Sequence, residues 1–267
     1  MTISTFTPLS LTDIRSAIDQ ETLNKLDEIQ IHSSVASTND ELWQRLNDGK
    51  SSPAVCLAES QTAGRGRRGD QWLSPCSGNL YLSIFWPFPA EMMKNGLSIA
   101  IGISLINTLN AEGINNLKLK WPNDVLHERH KLAGILVESR FGKKQNTVVG
   151  IGLNFKLPTS TQNQINQKTT SLQHLCTNVP CRNHLAGKII QNMIKTIELF
   201  QHRGLSDFIP LWPQYDALEN QAIKLISDDS QFTALACGIN EQGELRYMRN
   251  NKLETLANSH VSIRFAS

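Results

Sequence analysis

The sequence is poor in features that announce particular protein classes. Its 267 residues hold five cysteines, Cys56, Cys76, Cys176, Cys181 and Cys237. They are odd in number, irregularly spaced and without a CxxC pair, which argues against a disulfide framework and a structural zinc. A reducing cytoplasm is the expected home. The longest apolar run, "LSIAIGISLI" at 97–106, falls far short of the ~20 residues a membrane span needs. The opening "MTISTFTPLS" lacks a basic stretch followed by an apolar one, so no secretory signal is read. Net charge is +2, too balanced for bulk attraction to nucleic acid. No internal repeat or low-complexity tract is present. What remains, 40% hydrophobic and 19% charged residues, suits a globular protein with one large domain, or a catalytic domain with a small companion.

Periodicity organises the chain. Residues 8–28 read as a short helix carrying Leu11, Ile14, Ile18 and Leu23. "STNDELWQRLNDG" at 37–49 reads as a helix, with Thr38 and Glu41 at capping-box spacing and Gly49 as a stop. "AVCLAES" (54–60) and "NLYLSIFW" (79–86) read as strands, and 94–111 as a long apolar helix. "LKLKW" is a short strand leading into "PND". "KLAGILVESRF" and "TVVGIGLNF" predict a hairpin across Gly142–Asn146. Residues 156–171 are polar and weakly patterned, and a loop of that length signals function or mobility. Helices follow at about 183–202 and 205–217. From Asn220 onward short alternating segments, with a turn at "NEQG" (240–243), predict a small β-barrel-like unit.

Residues 64–69, "GRGRRG", satisfy the dinucleotide pattern G-x-G-x-x-G. That fingerprint works only where the loop opens a helix, and here "DQWLSPCSGNL" follows, with Pro75 and Gly78 blocking one. No GK[ST] is present for a P-loop. Glycines that let the backbone bend tightly, interleaved with three arginines, instead suit forked contacts to phosphate or carboxylate oxygens. The plainer reading is a solvated basic loop, of the kind that can touch RNA.

The neighbours of that loop decide between these. "ASTND" (36–40), "ESQTAGRGRRG" (59–69), Trp72, "KWPND" (120–124), "KLAGILVE" (131–138) and "GIGLNF" (150–155), in this order, resemble the catalytic domain of the biotin–protein ligases over most of 30–215. The resemblance implies an α+β fold: a mixed β-sheet catalytic domain followed by a small C-terminal SH3-like β-barrel. The implied layout is an N-terminal helical segment at 1–30, a catalytic domain at 31–217 and a C-terminal domain at 218–267. It also implies a two-step reaction. Biotin and ATP give biotinyl-5′-AMP, with Mg2+ accompanying the nucleotide, and a lysine of a biotin carboxyl carrier protein (an acetyl-CoA carboxylase subunit) takes the biotinyl group.

Site residues carry over position by position. Ser37, Thr38, Asn39 and Gln61 match the biotin contacts, small polar groups suited to a ureido ring; for Thr38 a helix cap is the competing role. Arg65, Gly66 and Arg67 match the loop that closes over biotin and phosphate, with Arg68 stabilising it. Lys131 matches the lysine bridging carboxylate and α-phosphate. Asp124 orients Lys131 or takes the proton of the acceptor amine. Asn123 and Asn154 are assigned to the nucleotide side, and Trp72 to the nucleotide or to core packing. Gly134 and Gly152 allow close ligand approach. Leu157 is the largest apolar group of a loop expected to cover the adenine, and Arg264 is a candidate to reach nucleotide or acceptor. No protein metal ligand is assigned, nor a catalytic role for any histidine or cysteine. About thirty residues precede the match, too few for a winged helix-turn-helix, so no operator binding is expected. A monomer or weak homodimer is the expected state. A lipoate or octanoate transferase and a nucleotide- or RNA-binding module remain the alternatives.

Overall fold

The computed structural model describes residues 7–76, 78–89, 96–141, 145–227, 230–257 and 261–266. Eight α-helices are described: α1 (Leu11–Ser16), α2 (Gln20–Leu23), α3 (Thr38–Asn47), α4 (Leu97–Ala111), α5 (Thr159–Gln162), α6 (Leu172–Leu175), α7 (Arg182–Arg203) and α8 (Trp212–Tyr215). Seven strands form the main sheet: β1 (Glu28–His32), β2 (Ala54–Ala58), β3 (Leu80–Phe88), β4 (Leu117–Lys120), β5 (Asp124–His127), β6 (His130–Phe141) and β7 (Gln145–Leu153). Their order is β1-β2-β3-β7-β6-β5-β4. Only the β1–β2 pair is parallel, so the sheet is mixed. Five more strands, β8 (Ala222–Ile226), β9 (Gln231–Ile239), β10 (Leu245–Arg249), β11 (Lys252–Leu256) and β12 (Ser262–Phe265), form a second sheet ordered β11-β10-β9-β8-β12.

Alternation along the strands sends side chains to two differently covered faces. Ala54 and Cys56 of β2, Phe85 of β3 and Val148 of β7 pack under Leu42 and Trp43 of α3. Burial there pushes the Cys56 thiol up to about 12, the behaviour of a packing residue rather than a nucleophile. The opposite set, including Val55, Leu82, Ile84, Val149 and Ile151, joins the large core with α4 and α7. Helix α4 is apolar around most of its circumference because it is covered by the sheet on one side and α7 on the other. That same core continues into the second sheet through Ile223, Leu225, Ala236, Leu245 and Ile263. Trp121 links the two, donating its Nε1–H to the Gly243 carbonyl at 2.9 Å.

Several expected elements change form. The single helix read at 8–28 is two short helices followed by a strand that begins at Glu28. β5 begins at Asp124, the last residue of "PND", where no strand was read. The segment at 205–217 is a short 3-10 turn and α8. The expected hairpin is formed by β6 and β7, pairing up to Phe141 and Gln145; its turn at 142–144 lies outside the described residues. In the second sheet β11 and β12 are the edges, and no pairing between them closes a barrel among the described residues.

Candidate active site

The register of the main sheet builds the floor of one cavity. Tyr81, Gly152, Gly134, Asp124 and Lys120 stand directly opposite one another across β3, β7, β6, β5 and β4. The two glycines open a hollow between a tyrosine and a charged pair. Trp72 fills part of it: a Cβ added at Gly152 would lie 2.5 Å from the indole Cε2, and one at Gly134 2.9 Å from Cζ3. The missing side chains thus admit the tryptophan ring. One row over, Gly150 faces the Asn39 carbonyl oxygen in the same way, at 2.5 Å.

The glycine–arginine segment is a finger folded on itself over this floor. Gln61 bridges Ser74, Trp72 N–H reaches the Gly64 carbonyl at 2.9 Å, and Gly66 N–H reaches the Asp70 carbonyl at 2.6 Å. Gly64 is required by close approach, since a Cβ there would meet the Trp72 carbonyl at 2.6 Å. At the tip Arg68 adopts φ 57° and lies 3.9 Å from Asp70.

The cations are distributed unevenly. Arg65 is held by two carboxylates outside the cavity lining, Asp40 of α3 at 2.5 and 2.7 Å and Glu138 of β6 at 3.5 Å. Arg67 donates to Asn123 Oδ1 at 3.1 Å, while Asn123 Nδ2 donates to the Ile135 carbonyl at 2.7 Å. Lys131 Nζ lies 2.8 Å from Asp124 Oδ1 and 4.9 Å from the Trp72 ring centre. Lys120 Nζ stands 3.8 Å from the other Asp124 oxygen. Burial lowers both Lys120 and Arg67 from their ordinary values, with Asp124 opposing in each case. One carboxylate therefore serves three desolvated cations, and an anion entering the cavity would relieve their mutual repulsion.

Ser37, Thr38, Asn39, Gln61, Arg65, Gly66, Arg67, Trp72, Asn123, Asp124, Lys131 and Gly134 all line this one cavity. Thr38 is not the helix cap: Ser37 occupies that position without a side-chain cap bond. The Thr38 hydroxyl instead lies 2.7 Å from Ser83 Oγ and 3.2 Å from Gln61 Oε1. Asn154 stands apart from the lining. It is buried, with Nδ2 donating to the carbonyls of Lys131 and Thr170 at 3.3 and 3.1 Å, and so ties the 168–170 segment beside Lys131. Leu157 is likewise buried outside the lining. Arg264 is exposed, yet its charge is felt at Lys120, and its neighbours Val261, Ser262 and Ile263 form one cavity wall.

The sequence reading missed Lys120, Asp40, Glu138 and the β12 wall. Lys120, Asp40 and Glu138 each sit inside a quoted motif, as the first or last residue of "KWPND", "ASTND" and "KLAGILVE". The β12 wall arrives by a long-range contact that carries no local signal.

Comparison with known proteins sets the family. Residues 32–154 match the Biotin/lipoate A/B protein ligase family. The bifunctional ligase/repressor BirA of Escherichia coli (strain K12) is 37% identical over 87% of this chain and 73% of its own length. The biotin–[acetyl-CoA-carboxylase] ligase of Mycobacterium tuberculosis is 33% identical over 62% of each. In fold, the biotin protein ligase from Aquifex aeolicus in complex with biotin and ATP is similar with a TM-score of 0.77 at 24% identity, over 90% of this chain and 100% of the other. The chain belongs to the biotin/lipoate A/B protein ligase family, on its biotin–protein ligase branch.

Proposed function

We propose that this chain activates biotin with ATP and transfers the biotinyl group to a lysine of a carrier protein, the biotin carboxyl carrier domain of an acetyl-CoA carboxylase. The observation that carries this reading is the convergence of Arg67, Lys120 and Lys131 around Asp124, at one end of a hollow whose other end is lined by small polar groups. Biotin's carboxylate attacks the α-phosphorus and the bond to pyrophosphate breaks. Negative charge concentrates at the attacking and leaving oxygens, where fixed cations in a water-poor site act most strongly. Lys131, held by Asp124, is placed to bridge carboxylate and α-phosphate, and Arg67 is steadied for the phosphates by Asn123. In the second half the acceptor amine attacks the acyl carbon and AMP leaves.

Ser37, Thr38, Asn39 and Gln61 form the biotin end in this reading, and the ring of Trp72 covers the hollow between the two ends. Among the described residues no group of three or more candidate metal ligands occurs. The acidic side chains lining the cavity, Asp70 and Asp124, face a guanidinium and ammonium groups. These residues do not build a magnesium site, so the ion would enter on the phosphates of ATP. Among the described residues no free cysteine lines the cavity, which leaves a cysteine-dependent acyl transferase without its nucleophile there.

The test is pyrophosphate release from ATP and magnesium. The expected result is release that requires biotin, is not supported by lipoate or octanoate, and is followed by labelling of an added carrier domain. Release driven equally by lipoate, or none with biotin, would overturn the reading.

A further inference from the structure

Behind the polar end of the cavity runs a relay of hydrogen bonds that starts at Glu138. Its Oε2 receives Asn39 Nδ2–H at 2.7 Å and Trp43 Nε1–H at 3.3 Å, and its Oε1 faces Arg65 Nη2 at 3.5 Å. An ionised carboxylate can only accept, so Asn39 must turn its amino group toward Glu138 and its carbonyl away. That carbonyl meets Ser83 Oγ at 2.6 Å, and Ser83 must donate its single hydroxyl proton there. The Ser83 oxygen can then only accept from Thr38 Oγ1, 2.7 Å away. Gln61 Oε1 competes for that Thr38 proton at 3.2 Å, but is already served by the Thr38 backbone N–H at 2.9 Å. The shorter contact takes the proton.

The consequence appears at the cavity surface. Asn39 and Thr38 are both 4% exposed, and Ser83 is fully buried, so water cannot freely reorient this set. With its proton committed inward, Thr38 presents lone pairs alone to the ligand. Beside it Gln61 Nε2 donates to Ser74 Oγ at 2.9 Å, which fixes the Gln61 amide in the opposite sense, amino side away from Thr38. The wall therefore offers an acceptor next to a donor-bearing amide.

We propose that Glu138 is a specificity-determining positioning residue: its carboxylate polarises the Asn39–Ser83–Thr38 relay so that Thr38 meets the ligand as an acceptor only, selecting a ring N–H. The assignment rests on the reading of this end of the cavity as the biotin ureido site. Glu138 touches no ligand in this scheme; it acts through the three side chains of the relay, and the double variant below separates that route from its contact with Arg65.

Reversing the charge along the relay tests it. In Glu138→Gln the relay loses its imposed direction, and biotin affinity should fall by about tenfold or more while ATP affinity stays unchanged. Asn39→Asp sets two carboxylates face to face and should bind biotin more weakly still. The double variant Glu138→Gln/Asn39→Asp restores the order, since the amide introduced on β6 can donate to the carboxylate introduced on α3, which in turn accepts from Ser83. It should bind biotin at least about threefold more tightly than either single variant. Calorimetry gives the affinities and thermal midpoints show that each variant is folded. Biotin binding by Glu138→Gln equal to wild type overturns the proposal, as does a folded double variant no better than the single ones. On unaltered protein, a biotin analogue with a ureido N–H replaced by oxygen should bind about tenfold more weakly or worse; equal binding also overturns it. If wild-type protein binds no biotin, the ureido-site reading fails and this assignment falls with it. Normal biotin binding with unresponsive variants sinks the relay alone.

Discussion

Asp124 answers to two ammonium groups at once, at 2.8 Å to Lys131 and 3.8 Å to Lys120, and this inequality explains how a site so rich in cations stays folded. One cation is paired closely and the others are held ready by burial and geometry. The same economy applies to Trp72, whose ring is seated by the absence of side chains at 134 and 152. Adding one methyl group tests that seat. Gly152→Ala would place a Cβ 2.5 Å from the indole, so the ring must move, at a cost of about 1–3 kcal/mol. The expected result is a stability to urea lowered by that amount together with slower adenylation; unchanged stability would contradict the close packing. At this scale the motif residues were legible because charge and glycine spacing have few innocent uses. Glu138 and Asp40 were not, because a single carboxylate at the end of a motif reads as solvated until a partner is brought to it.

Among elements, the N-terminal segment meets the main sheet at a buried ion pair. Arg182, at the start of α7 and 4% exposed, makes a forked contact with Glu59 at 2.7 and 2.8 Å. Glu59 also accepts Leu9 N–H at 2.6 Å. Removing the carboxylate takes the forked partner from a guanidinium buried in the interior, so Glu59→Ala should cost about 3–5 kcal/mol. Denaturant unfolding checks this, and a loss below about 1 kcal/mol would show that the pair is loose. Strong periodicity made β2, β3, β6, β7, α3, α4 and α7 readable in the sequence. β1 was not, because "EIQIH" continues the apolar spacing of the preceding helix and becomes a strand only by pairing in parallel with β2. β5 escaped notice for a similar reason: four residues between two turns carry too short a pattern to read.

For the molecule as a whole, the junction between the two sheets is sensitive to protonation. Asp216 bridges Leu119, accepts Trp212 Nε1–H at 2.9 Å and Leu218 N–H at 2.7 Å, and is raised by burial from 3.8 to about 6. A carboxyl group raised in the folded state stabilises fully below its unfolded value, and that contribution is lost as pH climbs through 6. The change corresponds to on the order of 3 kcal/mol. Asp216→Asn cannot ionise, so its stability relative to wild type should improve by up to that amount between pH 4 and pH 7.5. Urea titrations at both values decide it; a pH-independent difference would place the ionisation elsewhere. This junction was invisible in the sequence, where the change of texture near Asn220 marked a boundary without showing that one core crosses it.

In the proposed reaction Arg67 and Lys131 act together on one developing anhydride. Single-turnover formation of the acyl-adenylate, followed by rapid quench in wild type, Arg67→Ala and Lys131→Ala, measures it most directly. Each variant should be slowed by about 10²–10³-fold, the effect of removing one charge-stabilising donor, with thermal midpoints near wild type. Rates within threefold of wild type in both variants would contradict it.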